Sequence, residues 1–202
     1  MNTLLEIPLR EASVATIQDL QAKYPDATLR IEAENSLHSG GMDEEQFWAI
    51  IDLFNWKKRE DDYAIMAPAI AALSTFPAAD IHRFEDILAE KLSALDGRRF
   101  AENVGSNRYT DADGDFSVDD FLYSRCAVVA NGKEFFETVL QDPTRIPKEF
   151  TFESLLNLSG KAWEAKTGRA DYNYHAPISY ETFSNPEGWP GMITYQERIF
   201  GL

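Results

Sequence analysis

The stretch TDADGDFSVDDF, residues 110–121, contains five aspartates within ten positions and no basic residue. These aspartates are Asp111, Asp113, Asp115, Asp119 and Asp120. Closely spaced carboxylates can bind a calcium ion, take part in acid–base catalysis or attract a basic protein. An EF-hand loop also needs glycine at its sixth position and glutamate at its twelfth. Counted from Asp111, those positions hold Phe116 and Leu122, so the stretch does not fit an EF-hand, and we predict no metal ligand and no cofactor.

The end of the same stretch also fits the start of a helix. Ser117 is a good N-cap, and Asp119 and Asp120 would then lie in the first helical turn, facing the positive end of the helix dipole. The acidic stretch therefore has a local structural use, and it remains open at this point whether it also binds a ligand.

The three histidines, His38, His82 and His175, are scattered along the chain. Glu85 follows His82 by three residues, a spacing that places an acid and a base on one face of a helix. Such a pair is more often a surface contact, which is the interpretation we favour. The sequence has no second histidine at metal-ligand spacing, no CxxC, no GxSxG and no glycine-rich phosphate loop. We therefore predict no catalytic residue.

Charge is the strongest compositional signal. The 202 residues carry 34 acidic and 19 basic side chains, for a formal net charge of -15. This balance disfavours binding to nucleic acid or to an anionic membrane, and it favours a basic protein partner. Cys126, the one cysteine, lies in an apolar run and is expected to be a buried, unreactive thiol. The sequence shows neither a signal peptide nor a membrane-spanning run, so we predict a cytoplasmic protein.

The first 34 residues predict a small β-α-β unit. Apolar residues alternate over residues 5–9 and again over 29–33, as in short strands, and a helix is predicted between them over 13–24. Residues 192–195 could add a strand to the resulting sheet. Residues 35–41, NSLHSGG, combine turn formers with paired glycines and predict a linker.

A mainly helical domain is predicted over residues 42–166. Its first helix should begin after Asp43, with Gln46 completing a capping box. Further helices are predicted over residues 62–75, 78–95, 117–130, 132–141 and 150–166, with Pro68 expected to kink or split the first of these. Residues 167–202 are rich in aromatic residues, proline and glycine without a sustained period, so they predict an irregular C-terminal tail packed on the domains. The predicted fold class is thus α+β.

The run GDFSVDDFLYSRCAVVANGKEFFETVLQDPTRIP, residues 114–147, resembles the bacterial domain-of-unknown-function family 4240. The helix start at residues 42–48, MDEEQFW, is similar to the opening of that family. The resemblance covers roughly residues 42–166 and implies no established activity. Within it, Arg125 lies close enough along the predicted helix to Asp119 and Asp120 that the three could form a buried network.

These observations favour an acidic interaction protein, and more specifically an immunity protein that binds and neutralises a cognate toxin. A basic nuclease-type effector would be a suitable toxin. The expected partner contacts are the five aspartates Asp111, Asp113, Asp115, Asp119 and Asp120, together with the aromatic side chains Tyr172, Tyr174 and Trp189. Two alternatives remain, an enzyme with a carboxylate-based or metal-assisted site around Asp119, Asp120 and His82, and a plain scaffold module.

Overall fold

The computed structural model describes residues 22–24, 41–58, 60–110 and 116–191. The chain divides into two compact units, Met1–Ser39 and Gly40–Leu202. In the first unit only residues 22–24 are described, and Ala22 and Lys23 are helical. The following paragraphs concern the second unit.

Seven α-helices are described in the second unit. They are α1 (Glu44–Ile51), α2 (Asp62–Leu73), α3 (Ala78–Ala94), α4 (Arg98–Ala101), α5 (Val118–Ala130), α6 (Lys133–Gln141) and α7 (Leu158–Thr167). Short 3-10 helices lie at Trp56–Lys58, Pro143–Arg145 and Glu153–Asn157. No described helix combines the length and the apolar character needed to cross a membrane.

The predicted α+β class is wrong for the described part of the chain. Helices account for 58% of those residues, which include no strand or sheet, and no βαβ unit is seen. The predicted strands at residues 5–9, 29–33 and 192–195 lie outside the described residues. The first two of these predictions depended on three alternating apolar residues each, and so short an alternation does not distinguish a strand from other local structure.

Side-chain caps fix the starts of three helices. The Asp43 carboxylate accepts from the Gln46 backbone N–H at 2.8 Å, and the Gln46 side chain accepts from the Asp43 N–H at 3.1 Å, which confirms the predicted capping box. Asp61 caps α2 and Ser117 caps α5 in the same way. Pro68 lies inside α2 without splitting it. Pro68 itself is exposed, whereas Ala69 and Ile70, which follow it, are buried in the core.

The core is apolar and largely aromatic where the helices meet. Phe47 of α1 contacts Phe84 of α3 with their ring centroids 4.7 Å apart, and both side chains are fully buried. Trp48 of α1 contacts Phe136 of α6 at 5.3 Å. Burial of each such side chain stabilises the fold by about 1.5–3 kcal/mol. This core fixes α3, α5 and α7, the helices that carry the residues discussed below.

Residues 168–189 form an irregular segment, here called the C-terminal strap, that packs on these helices. It begins at Gly168, whose φ of 70° is left-handed and ends α7. Tyr172 and Tyr174 are half-buried while Asp171, Asn173 and His175 between and around them are exposed. Tyr172 and Tyr174 therefore pack against the domain while the residues beside them face solvent.

Candidate functional site

The start of α5 presents the two described members of the acidic stretch to solvent. Ser117 Oγ accepts from the Asp120 backbone N–H at 3.1 Å, and Asp119 and Asp120 lie exposed in the first turn. Asn107 Nδ2 donates to Asp120 Oδ2 at 3.1 Å. The structural use predicted for these residues is therefore present. Asp111, Asp113 and Asp115 lie outside the described residues.

Three element starts come together to form a larger surface, which we call the acidic face. Its members are the exposed carboxylates Asp61, Asp62, Asp119, Asp120 and Glu153. Ser154 Oγ donates to Asp62 Oδ2 at 2.7 Å, which joins the 3-10 helix Glu153–Asn157 to the start of α2. Phe152 N donates to the Tyr123 carbonyl oxygen at 3.0 Å, which joins the same 3-10 helix to α5.

The acidic face is not neutralised by the described part of the chain. None of its five carboxylates forms an ion pair with a described lysine, arginine or histidine. The pKa of the Tyr123 phenol is raised, first by desolvation and then by the carboxylates of Glu153 and Asp119. Exposed apolar surface adjoins the acids, since Tyr63 is 58% exposed and Val118 43% exposed. Within the described residues the result is an anionic surface without ion pairs, with apolar side chains beside it.

A second cluster surrounds His82 on α3. The His82 ring stacks on Tyr174 of the strap at 4.2 Å between centroids, and on Trp163 of α7 at 5.7 Å. Tyr174 donates its hydroxyl proton to Asp86 Oδ1 at 2.7 Å, and Trp163 Nε1 donates to Asp171 Oδ1 at 3.1 Å. Two of the aromatic residues predicted to contact a partner, Tyr172 and Tyr174, thus have their main described contacts inside the chain.

Beneath these rings lies a buried polar trio, Glu85, Ser159 and Tyr172. Glu85 is 6% exposed and Ser159 is 1% exposed, and Glu85 Oε2, Ser159 Oγ and the Tyr172 hydroxyl are buried without a hydrogen bond within the described chain. Burial raises the pKa of Glu85, and the charge of Asp86 raises it further, whereas the Ser159 hydroxyl and His175 oppose the shift. Burial likewise raises the pKa of Tyr172.

Contrary to the prediction, Arg125 forms no described hydrogen bond with Asp119 or Asp120. Its side chain is completely buried, and Nη1 donates to the Leu92 carbonyl oxygen at 3.0 Å and to the Tyr180 carbonyl oxygen at 2.9 Å. Nη2 donates to Thr182 Oγ1 at 2.9 Å. Arg125 points away from Asp120 because it lies more than one helical turn later and faces the core. It therefore ties the strap to α3 and α5.

Asp96 binds the end of the strap. This fully buried carboxylate accepts from the backbone N–H groups of Phe183, Ser184 and Asn185 at 3.2, 2.8 and 3.0 Å. It also accepts from Trp189 Nε1 at 2.8 Å. Trp189 is 3% exposed, so its indole contributes to the packing of the strap and offers no exposed contact surface.

The residues of the enzyme alternative lie in different clusters. His82 contacts Trp163 and Tyr174, whereas Asp120 contacts Asn107. No group of three or more His, Cys, Asp or Glu residues that could hold a metal ion occurs in the described ranges. Cys126 is fully buried, and burial raises its pKa to about 12. The thiol is therefore protonated at neutral pH, as predicted.

The spacing of His82 and Glu85 predicts a surface contact, whereas Glu85 is buried in the structure. The sequence did contain a signal that Glu85 is buried, because Glu85 directly follows Phe84 and precedes Ile87 and Leu88, on the apolar side of the helix. Asp96 carried no comparable signal. Its four partners come from positions 183–189, far away in sequence.

Most of the second unit matches a known protein family. The model of the family described as "Protein of unknown function (DUF4240)" matches residues 42–165. No curated protein and no solved structure matches the chain significantly. The match ends before the strap, although Arg125 and Asp96, which bind the strap, lie within it.

Proposed function

The chain belongs to the DUF4240 family, whose function is unknown, and on that premise we propose that it is an interaction protein that binds a basic protein through its acidic face. The specific form of the proposal is an immunity protein that neutralises a cognate toxin in the cytoplasm. A basic nuclease-type effector is the class of toxin that best suits the charge.

The observation that carries the proposal is the acidic face itself. Five exposed carboxylates, contributed by three separate elements, lack an ion pair with any described cation. Some exposed acids elsewhere on the domain form such pairs, as in Arg98 with Glu102 at 2.7 Å and Lys91 with Glu44 at 2.7 Å. Carboxylates left unpaired in this way are available to the lysine and arginine side chains of a partner.

The physical mechanism has two parts. The net charge of -15 attracts a basic protein over distances of about a Debye length, roughly 8 Å at physiological ionic strength, and raises the rate of association. At contact, Tyr63 and Val118 supply apolar surface beside the charged groups, since interface energy comes largely from well-packed apolar and aromatic side chains. A nuclease whose active site binds phosphates would bind these carboxylates in their place, and its active site would then be blocked.

No observation favours the enzyme alternative, because the residues proposed for it do not converge in the described structure. The interaction proposal is tested by isolating the tagged chain from its native cells and identifying stoichiometric partners by mass spectrometry. We expect one basic partner that stops growth when it is expressed alone and is harmless when it is co-expressed with this chain. A stoichiometric partner without toxicity would contradict the immunity role, and a partner that is acidic would contradict the electrostatic mechanism.

A further inference from the structure

The two ends of the strap are held by different chemistry. Residues 180–189 are bound by hydrogen bonds from the buried guanidinium of Arg125 and to the buried carboxylate of Asp96, each of which has several partners. Residues 171–175 are bound by stacking on His82, by the Tyr174 to Asp86 hydrogen bond and by the Tyr172 hydroxyl, which lies beside Glu85 and Ser159. Only the second end contains a buried acid with an oxygen atom, Oε2 of Glu85, that accepts no hydrogen bond within the described chain.

Ionised Glu85 would be costly in this position. Its carboxyl is almost completely buried, Oε2 accepts no hydrogen bond, and none of the described ion pairs includes it. An unpaired buried carboxylate is strongly destabilising, and a group in such a site usually stays protonated or moves to solvent. The protonated form is neutral and can also donate a hydrogen bond.

Other titratable groups face Glu85 from each neighbouring element. His82 and Asp86 lie on the same helix, Tyr172, His175 and Tyr180 lie on the strap, and Cys126 lies on α5. Burial raises the pKa of Tyr180 to about 12, so Tyr180 and Cys126 are neutral near pH 7. Asp86 opposes ionisation of Glu85, and His175, which is exposed, favours it only while the imidazole is charged.

We propose that the proton on Glu85 controls the docking of strap residues 171–175, which stay docked while the carboxyl is protonated and are released when it ionises. Release leaves residues 180–189 bound to Arg125 and Asp96, and it exposes the aromatic surface formed by His82 and Trp163. The direction follows from linkage, because the docked state binds the proton more tightly than the released state does. The docked strap is most stable below the ordinary pKa of glutamate, and this stabilisation is lost as the pH rises through the raised pKa of Glu85.

Two tryptophan indoles report on the two ends of the strap in one experiment. Trp163 Nε1 donates to Asp171 at the pH-dependent end, and Trp189 Nε1 donates to Asp96 at the other end. Hydrogen exchange of both indole protons is measured by NMR on the full chain from pH 4 to 8, with correction for intrinsic base catalysis. We expect the opening constant of Trp163 to rise about tenfold per pH unit between the ordinary and the raised pKa of Glu85. We expect the opening constant of Trp189 to stay constant.

Variants on one helix supply the comparison. Glu85→Gln should abolish the pH dependence at Trp163, whereas Glu90→Gln should keep it, since the Glu90 side chain is 40% exposed and paired with Arg83. In the unmodified protein the side-chain carboxyl carbon of Glu85 should titrate at a higher pH than that of Glu90, which tests the proposal even if a variant fails to fold. The proposal is overturned if Glu85→Gln keeps the transition, if Trp163 and Trp189 open together, or if the Glu85 carboxyl titrates like an exposed glutamate.

Discussion

Arg125 on α5 donates a hydrogen bond to the carbonyl oxygen of Tyr180 at 2.9 Å. The first residue lies inside the region matched by the family model, and the second lies beyond its end. The strap is thus part of the folded domain, although no periodic pattern marks it in the sequence.

Replacement of Arg125 should destabilise the domain strongly. Arg125→Leu removes the donors for Leu92 O, Tyr180 O and Thr182 Oγ1, and buried polar atoms left without a partner cost about 1–3 kcal/mol each. We expect a loss of about 3 kcal/mol in the free energy of unfolding, measured by urea titration. Arg99→Leu is the control, because Arg99 is exposed and its described contact is with the ring of Phe100 at 4.5 Å. Equal stability of the two variants would contradict the role given to Arg125.

Asp96→Asn tests the second attachment of the strap, which is made by the Asp96 carboxylate. Asp96 accepts four hydrogen bonds from N–H groups, and an asparagine amide in the same place would turn its own N–H donors toward them. We expect a loss of about 2–3 kcal/mol and early proteolysis between residues 180 and 189. A protease pattern identical to that of the unmodified chain would show that Asp96 does not hold the strap.

Gly188 should tolerate no side chain. A Cβ at this position would lie 2.0 Å from the Asp96 carbonyl oxygen and 2.8 Å from the Cα of Gly97. Gly188→Ala must therefore push two backbone segments apart, and we expect a cost of about 2–3 kcal/mol. Gly160→Ala is the matched comparison. Gly160 lies inside α7, and a Cβ there would make an ordinary 3.6 Å contact with Tyr172. That variant should gain up to about 1 kcal/mol from helix propensity. The prediction fails if both alanines change the unfolding free energy in the same direction.

The stability of the whole domain should depend on pH through Glu85. Burial raises the pKa of this group, so the folded state holds the proton more tightly than the unfolded state. The contribution is complete below the ordinary pKa of glutamate and is lost as the pH rises through the raised value. Glu85→Gln should therefore unfold at a higher urea concentration than the unmodified protein at pH 8, with the difference shrinking toward pH 4. A constant difference across this range would mean that folding does not raise the pKa of Glu85.

The helical part of the fold could be predicted closely from sequence because caps and apolar spacing are local signals. The predicted helices over residues 78–95 and 132–141 correspond to Ala78–Ala94 and Lys133–Gln141. The last predicted helix, over residues 150–166, is divided in the structure into the 3-10 helix Glu153–Asn157 and α7. Such a change of hydrogen-bond pattern between consecutive turns depends on tertiary packing, which a periodic pattern does not encode.

The candidate site was less predictable, and for a physical reason. Asp119 and Asp120 could be placed at a helix start, but Glu153 and Asp62 join them only through tertiary contacts such as the Ser154 to Asp62 hydrogen bond. The partners of Arg125 were mistaken because helical spacing describes neighbours on the same helix, whereas Tyr180 is 55 residues away. Sequence patterns identify local structure and leave long-range polar partners undetermined.

The central claim is that the acidic face binds a basic partner, and the association rate tests it most directly. The double variant Asp119→Lys with Asp120→Lys changes the face, and Glu45→Lys with Glu134→Lys is the control, because these exposed glutamates occupy the first turns of α1 and α6 and the charge change is equal. With the purified partner at low salt, we expect the first variant to associate at least about tenfold more slowly and the control to change much less. Equal rates for the two variants would show that the partner binds elsewhere.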